Sequence, residues 1–169
     1  MNARYPRHGL DTNALNDLPI QTGMCPAIET QSDMTDLKAF LVEDSPVIRE
    51  NLIAALEELA PVQVVGTAED EPTAMVWLGS ADNHCDLVII DIFLKRGSGL
   101  GVLRATRLLH ASLTLVVLSN YATPDMRRKC LALGANRVFD KSNEIDALLL
   151  YCARLAGGET VPGALSPLF

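Results

Sequence analysis

Short apolar runs alternate along the chain with segments of helical periodicity. Five runs have the length and composition of β-strands: Leu37–Val42, Pro61–Thr67, Leu87–Ile90, Leu113–Leu118 and Arg137–Phe139. After each run, apolar residues recur at every third or fourth position, which places them on one face of a helix. The pattern therefore predicts five strand–helix units in succession.

Capping residues predict where several of the helices begin. Ser45, Thr123 and Ser142 each precede a helical segment and carry an oxygen that can accept a bond from the first turn. Proline follows the first two of these residues, a position where its missing N–H removes no helical bond. The second and third helices are expected over Glu69–Leu78 and Leu100–His110.

Five strand–helix units imply a parallel sheet with helices on both faces. The first, third and fourth strands are almost entirely apolar, as expected for central strands. The second contains Gln63, and the fifth is short and contains Arg137. Placing these two strands at the edges gives the order 2-1-3-4-5. The sequence thus predicts an α/β protein with a flavodoxin-like, doubly wound (βα)5 fold.

Two segments outside this pattern show no sustained periodicity. Residues 1–35 are rich in proline, glycine and polar residues, so we expect an irregular N-terminal extension. A Gly-Gly pair should end the last helix, and an irregular tail is expected over 157–169. The folded domain is therefore predicted over residues 36–156. The 13 residues after Ala156 are too few for a helix-turn-helix or an enzymatic domain.

Composition narrows the range of functions. The chain has 169 residues, its amino terminus lacks the apolar stretch of about 7–15 residues that is typical of a signal peptide, and no apolar run approaches the roughly 20 residues that span a bilayer. We therefore expect a cytoplasmic protein without a membrane partner.

Fourteen basic and 21 acidic residues give a net charge of −7, and the only dense basic cluster is Arg127–Lys129. Direct DNA binding is therefore not expected. The four cysteines lack zinc-site spacing, and we expect reduced structural thiols.

Polar residues follow four of the predicted strands. They are Glu43 and Asp44 after the first strand, Asp91 after the third, Ser119 after the fourth and Lys141 after the fifth. Because the carboxyl ends of parallel strands meet at one edge of the sheet, we expect these side chains to converge. Neighbouring carboxylates repel one another, and a hard divalent cation with oxygen ligands relieves that repulsion.

This set of residue types is typical of phosphoryl transfer to a carboxylate. Asp91 follows the middle strand and is the expected nucleophile. Glu43 and Asp44 would hold Mg²⁺, directly or through water, with the backbone carbonyl of Phe93 as a further ligand. Lys141 and the hydroxyl of the fourth strand would contact the phosphoryl group.

Each of these residues also has an ordinary structural explanation. Asp44 could help to cap the first helix, as acids often do. Ser119 could be a strand-end hydroxyl, and Lys141 could be a solvated loop residue. Asp91 is harder to explain in this way, because a carboxylate that closes a buried strand is desolvated. The occurrence of all of them at one edge favours the phosphoryl-transfer site.

Four stretches carry a family resemblance: FLVEDSPVIRENL, DLVIIDIFLKRGSGLGVL, VVLSNYATPDMRRKCLALGA and VFDKS. Together they make residues 37–156 resemble the receiver domain of bacterial two-component response regulators, of the single-domain type. The residues that match its acidic pair, phosphoacceptor, switch hydroxyl and lysine are Glu43, Asp44, Asp91, Ser119 and Lys141. The resemblance implies phosphorylation with Mg²⁺ by a sensor histidine kinase or a histidine phosphotransfer protein. It also implies a signalling protein whose only chemistry is its own phosphotransfer and autodephosphorylation.

The resemblance further implies an output surface formed by the fourth helix, the fifth strand and the fifth helix. These elements carry Met126, the neighbouring basic residues, Leu150 and Tyr151, which could bind a partner or form a homodimer. The other explanation is that these residues serve core packing and a solvated charged surface.

Three positions depart from the family. Val138 stands where a switch aromatic is usual, Ser142 stands where proline is usual, and Asn120 replaces a smaller residue.

These departures keep other functions open. Val138 is compatible with a phosphorylation-independent receiver that acts as a scaffold or dimerisation module. Flavodoxin-like cofactor binding is disfavoured, because acids occupy the place of a phosphate-binding loop after the first strand. For the phosphorylated form, Phe93 and Tyr121 are expected to overhang the phosphoryl group and to slow its hydrolysis. The alternative is that both rings point away.

Overall fold

The computed structural model describes residues 36–159 of the chain. Its strands are β1 Leu37–Val42, β2 Val62–Ala68, β3 Leu87–Ile90, β4 Thr114–Ser119 and β5 Arg137–Asp140. Its helices are α1 Pro46–Leu59, α2 Glu71–Gly79, α3 Gly99–Leu109, α4 Pro124–Ala132 and α5 Ile145–Ala156. The expected N-terminal extension and the part of the expected tail after Glu159 lie outside the described residues.

The five strands form one parallel sheet in the order β2-β1-β3-β4-β5. This confirms the predicted fold class, the strand order and the edge positions of β2 and β5. The strand composition was informative because a central strand is covered on both faces, whereas an edge strand tolerates polar residues. None of the helices described between residues 36 and 159 is long and apolar enough to cross a membrane.

Two apolar clusters lie on opposite faces of the sheet. Because side chains alternate along a strand, Ala39 and Leu41 face the side covered by α1 and α5. Phe40 and Val42 face the side covered by α2, α3 and α4. Because the side chains of β1 and β3 are buried on both faces of the sheet, the sequences of these two strands are almost entirely apolar. This burial also fixes the sheet edge at which the polar residues emerge.

The helix caps follow the sequence prediction with one exception. Ser45 and Thr123 cap α1 and α4, as predicted. The prediction that Ser142 caps the last helix is wrong, because Glu144 is the N-cap of α5. The backbone N–H of Ser142 instead donates to Asp140 Oδ1 at 2.7 Å, within a turn that delays the helix.

Cys130 and Cys152 lie in the core as free thiols, and Cys85 is half-buried. Burial raises the pKa of Cys152 to about 12, so its thiol stays protonated at neutral pH. These side chains behave as small apolar residues.

Candidate functional site

Three carboxylates meet where β1 and β3 end. β1 and β3 are paired so that Val42 lies opposite Ile90, which brings the residues that follow them side by side. One carboxylate oxygen from each of Glu43, Asp44 and Asp91 lies within 4.8 Å of the others. Glu43 is 1% exposed and Asp91 is 7% exposed. The structure thus brings together the acids that the sequence placed at this edge.

Lys141 extends from the end of β5 into this group of acids. Its Nζ donates to Glu43 Oε2 at 2.5 Å and to Asp91 Oδ2 at 2.7 Å. The side chain is only 7% exposed, so it is not a solvated loop lysine. With all groups charged, three carboxylates and one ammonium leave a formal charge of −2 at the site.

Ser119 is the last residue of β4 and is fully buried. It pairs with Asp140 across the sheet, and its carbonyl accepts from the Lys141 backbone N–H at 3.2 Å. The Ser119 Oγ accepts from the Tyr121 backbone N–H at 3.3 Å. The hydroxyl hydrogen is therefore free to be donated to another acceptor at this edge.

Asp44 does not cap α1. That position belongs to Ser45, whose Oγ accepts from the Ile48 N–H at 3.5 Å. Glu43 is held by its neighbours, since its Oε1 accepts from the Ser45 N–H at 3.2 Å. Lys95 Nζ donates to the Asp44 carbonyl at 3.3 Å and adds positive charge beside the acids. The Asp44 carboxylate thus lies in the acidic group without serving the helix.

The loop from Asp91 to the start of α3 packs tightly against the site. Asp91 Oδ1 accepts from the Phe93 N–H at 3.3 Å, and Gly99 N–H donates to the Ile92 carbonyl at 2.9 Å. A Cβ at Gly99 would lie 1.8 Å from the Asp91 carbonyl oxygen, so no larger residue fits without displacing the loop. The glycine-rich turn therefore sets the position of the backbone that carries Asp91 and Phe93.

Two acids at the start of α2 hold the other side of this loop, and the sequence prediction missed them. Asp70 caps α2 and is 2% exposed. It accepts from Arg96 Nε at 2.9 Å and from Arg96 Nη2. Hydrogen bonds from Thr73, and then from Arg96, lower the Asp70 pKa to about 2. We call this ion pair, together with the Glu71 contacts described next, the α2 latch.

Glu71 completes the α2 latch. Its Oε2 accepts from the Ser98 N–H at 2.8 Å, and its own N–H donates to the Arg96 carbonyl at 3.1 Å. The available signal was an acidic run, Glu69 to Glu71, directly before a helix with proline in its first turn. What the sequence could not show is that the loop after Asp91 reaches this helix start.

A second arginine lies between the loop after Ser119 and α5. Arg127 Nε donates to the Ala122 carbonyl at 2.9 Å, and Nη1 donates to the Val138 carbonyl at 2.6 Å. Nη2 donates to Glu144 Oε2 at 2.6 Å, and this bond lowers the Glu144 pKa. We call this set of three bonds the Arg127 fork.

Val138 occupies the position of the expected switch aromatic. It is 7% exposed and packs in the cluster beneath α2, α3 and α4. The adjacent Phe139 faces the opposite side of the sheet, where its ring lies 5.8 Å from that of Tyr151. The aromatic next to the switch position therefore does not substitute for it.

Phe93 and Tyr121 lie on the two loops that follow Asp91 and Ser119. Their ring centroids are 5.4 Å apart in an edge-to-face arrangement. Phe93 is 53% exposed and Tyr121 is 63% exposed. The two rings therefore contact each other at the surface and join the two loops.

A sequence profile of the response regulator receiver domain matches residues 39–152. The transcriptional regulatory protein MalR of Bacillus subtilis (strain 168) is 28% identical over 99 residues, which are 59% of this chain and 41% of MalR. The chain therefore spans less than half the length of this relative.

Solved structures show the same fold. A LuxR-family two-component response regulator from Aurantimonas sp. SI85-9A1 aligns with a TM-score of 0.66 at 22% identity, over 77% of this chain and 89% of that one. A response regulator from Burkholderia pseudomallei, solved with a phosphorylated aspartic acid, a calcium ion and citrate, aligns with a TM-score of 0.61 at 19% identity. That alignment covers 73% of this chain and 70% of the other.

Proposed function

The chain belongs to the response regulator receiver domain family, and from that premise we propose that it accepts a phosphoryl group on Asp91 with Mg²⁺. The donor is a sensor histidine kinase or a histidine phosphotransfer protein. The observation that carries the proposal is the pairing of Lys141 with both Glu43 and Asp91 beside a third carboxylate. A divalent cation would balance the formal charge of −2 that these three carboxylates and Lys141 carry together.

The residues present fit Mg²⁺. Carboxylate and carbonyl oxygens are the ligands that a hard cation such as Mg²⁺ prefers. One oxygen from each of Glu43, Asp44 and Asp91 lies within 4.8 Å of the others, so the three carboxylates could draw together around one ion. We assign these three carboxylates and the Phe93 carbonyl as its ligands. When bound, the ion supplies charge neutralisation for the phosphoryl oxygens.

The chain's own residues then have distinct roles. A carboxylate oxygen of Asp91 forms the bond to phosphorus while the bond from phosphorus to the donor nitrogen breaks, and that nitrogen keeps the electron pair. Lys141 Nζ moves its hydrogen bond from Asp91 Oδ2 to a phosphoryl oxygen. The Ser119 hydroxyl donates to another. Burial of all three residues strengthens these interactions by excluding water.

We further propose that the phosphorylated domain signals by binding a partner or by homodimerisation through α4, β5 and α5. A surface cavity of about 340 Å³ lies on this face. Leu150, which is 54% exposed, contributes apolar surface, the buried Tyr151 lines the cavity from the core side, and Arg137 and Arg154 contribute positive charge. MalR is a transcriptional regulatory protein. For this chain we propose output through protein contacts and not through direct DNA binding.

A second candidate function is favoured by one observation. Val138 is a buried aliphatic residue where the resemblance implies an aromatic switch. Without that aromatic, the domain could serve as a phosphorylation-independent scaffold or dimerisation module. The two functions differ in whether Asp91 is chemically competent.

The first experiment is intact-mass analysis after incubation with acetyl phosphate and Mg²⁺. We expect an adduct of about 80 Da, the mass of one phosphoryl group, that requires the metal and disappears in Asp91→Asn. Asp82→Asn, which changes an exposed loop acid, is the matched control and should be labelled like the wild type. If the folded wild type stays unlabelled while a known receiver is labelled, the scaffold function replaces the proposal.

A further inference from the structure

The Arg127 fork joins the segments that carry two of the proposed phosphoryl contacts. Ala122 is three residues after Ser119, and Val138 is three residues before Lys141. We propose that Arg127 is a positioning residue that holds these segments in the arrangement of unmodified Asp91. The inference rests on the proposed function and extends it to how phosphorylation reaches the face formed by α4, β5 and α5.

The geometry of the fork makes it sensitive to small displacements. A guanidinium is planar and rigid, so its N–H groups point in fixed directions. In Arg127, three nitrogens donate to acceptors on the β4–α4 loop, on β5 and on α5, at 2.9, 2.6 and 2.6 Å. If the loop shifts relative to β5, the three acceptors can no longer be satisfied together. The fork therefore stabilises one arrangement of these elements over others.

Glu144 connects the fork to the residue next to Lys141. The same Glu144 Oε2 that accepts from Arg127 also accepts from the Asp140 backbone N–H at 2.6 Å. Lys141 follows directly and bonds to Asp91 at 2.7 Å. A continuous set of contacts therefore runs from Asp91 to Arg127 and returns through the β4–α4 loop to Ser119.

A phosphoryl group on Asp91 offers new acceptors that compete with this set of contacts. It adds about −1.5 to −2 charges at neutral pH and several acceptor oxygens. The Ser119 hydroxyl and Lys141 Nζ then turn toward the new oxygens, which displaces the β4–α4 loop relative to β5. The fork opens, and the charges of Arg127 and Glu144 become available on the α4–β5–α5 face. Val138 takes part in this set of contacts through its backbone carbonyl and not through its side chain.

Thermodynamic linkage between the fork and the phosphorylated state provides a test with variants of the fork. If phosphorylation opens the fork, removing the fork must favour phosphorylation by the same coupling free energy. We expect Arg127→Gln and Glu144→Gln to bind beryllium fluoride with Mg²⁺, a stable mimic of the phosphoryl group, about fivefold more tightly than the wild type or better, the lower range of typical coupling. Arg127→Lys, which cannot reach all three acceptors, should lie between them and the wild type.

The matched control is Arg128→Gln. Arg128 is the neighbouring residue on α4 and forms an exposed ion pair with Asp125, so its loss should leave the affinity for beryllium fluoride unchanged. An affinity of Arg127→Gln equal to or below that of the wild type, with the variant folded, overturns the inference. Failure of the wild type itself to become labelled overturns the proposed function instead.

A second measurement on the wild type does not depend on a variant that folds. The Arg127 Nε–H should give a slowly exchanging NMR signal in the unmodified protein, because it is bonded to the Ala122 carbonyl. Addition of beryllium fluoride with Mg²⁺, as a stable mimic of the phosphoryl group, should shift that signal and speed its exchange with water. A purely structural arginine would keep both properties, and that result would also overturn the inference.

Discussion

Two arginines hold the two loops that flank the acidic site, but they do so through different partners. Arg96 binds a buried carboxylate, that of Asp70, and its loop is also tied to Glu71. Arg127 binds two backbone carbonyls and one half-exposed carboxylate, that of Glu144. The α2 latch therefore acts on a fixed helix start, whereas the Arg127 fork spans three separate elements.

This difference matches what each loop has to do. Under the proposed function, the loop after Asp91 carries the nucleophile and a carbonyl that would bind the metal, and the positions of both must be kept during the reaction. It is close-packed at Gly99, with no space for a Cβ. The loop after Ser119 has a large exposed residue, Tyr121, and a guanidinium as its main connection to β5. We therefore expect the first loop to remain in place and the second to shift when Asp91 is phosphorylated.

The largest effect should come from breaking the close packing on the Asp91 side. In Gly99→Ala the new Cβ would overlap the Asp91 carbonyl oxygen. Both atoms belong to or adjoin backbone, so we expect a loss of about 3 kcal/mol in the free energy of unfolding, at the upper end for overpacking. Urea denaturation measures this loss. Gly79→Ala, where no atom lies within 4 Å of the new Cβ, is the control and should not be destabilised.

A smaller and pH-dependent effect is expected from breaking the α2 latch. The Asp70 pKa is lowered from 3.8 to about 2 in the folded protein, so its stabilising contribution is fully present above about pH 4. That contribution is lost as the pH falls through the interval toward 2. Asp70→Asn should therefore be less stable than wild type at neutral pH.

The test of this pH dependence is thermal unfolding of Asp70→Asn and the wild type from pH 7 to pH 2. The difference between the two melting temperatures should shrink below about pH 4. A difference that stays constant down to pH 2 would show that the Asp70 carboxylate does not stabilise the latch through its charge.

The smallest effect on stability is expected where the two loops touch. Phe93 and Tyr121 are both more than half exposed, so replacing both with Asn should change the free energy of unfolding little. We expect a shorter lifetime of the aspartyl phosphate, because the rings no longer obstruct water. A barrier lowered by about 1 kcal/mol shortens that lifetime roughly fivefold. Leu108→Asn, at a residue 79% exposed on α3, is the control.

The phosphate-release time course from protein labelled with acetyl phosphate provides this measurement. An unchanged lifetime in the double variant would mean that the two rings do not control the approach of water. It would leave the phosphorylation of Asp91 itself untouched, since neither ring is assigned a role in that step.

The sequence predicted most of the fold and the composition of the acidic site. Apolar strands of different length and polarity set the strand order, and the parallel arrangement then brought Glu43, Asp91 and Lys141 to one edge. The sequence prediction was wrong where a local capping signal competed with contacts to residues elsewhere in the chain. Ser142 is a good capping residue, yet Glu144 occupies the N-cap position of α5, and its carboxylate bonds to Arg127 and to the Asp140 N–H and not to the helix.

What the sequence determined by itself is therefore periodic or local: strand order, helix starts at Ser45 and Thr123, and the set of residues at one sheet edge. What only the tertiary structure decided is which charged groups away from that edge pair across long separations. Arg96 and Asp70 are 26 residues apart, and Arg127 and Glu144 are 17 apart. Such pairs leave no period in the sequence, because their geometry depends on how helices and loops pack once the sheet has formed.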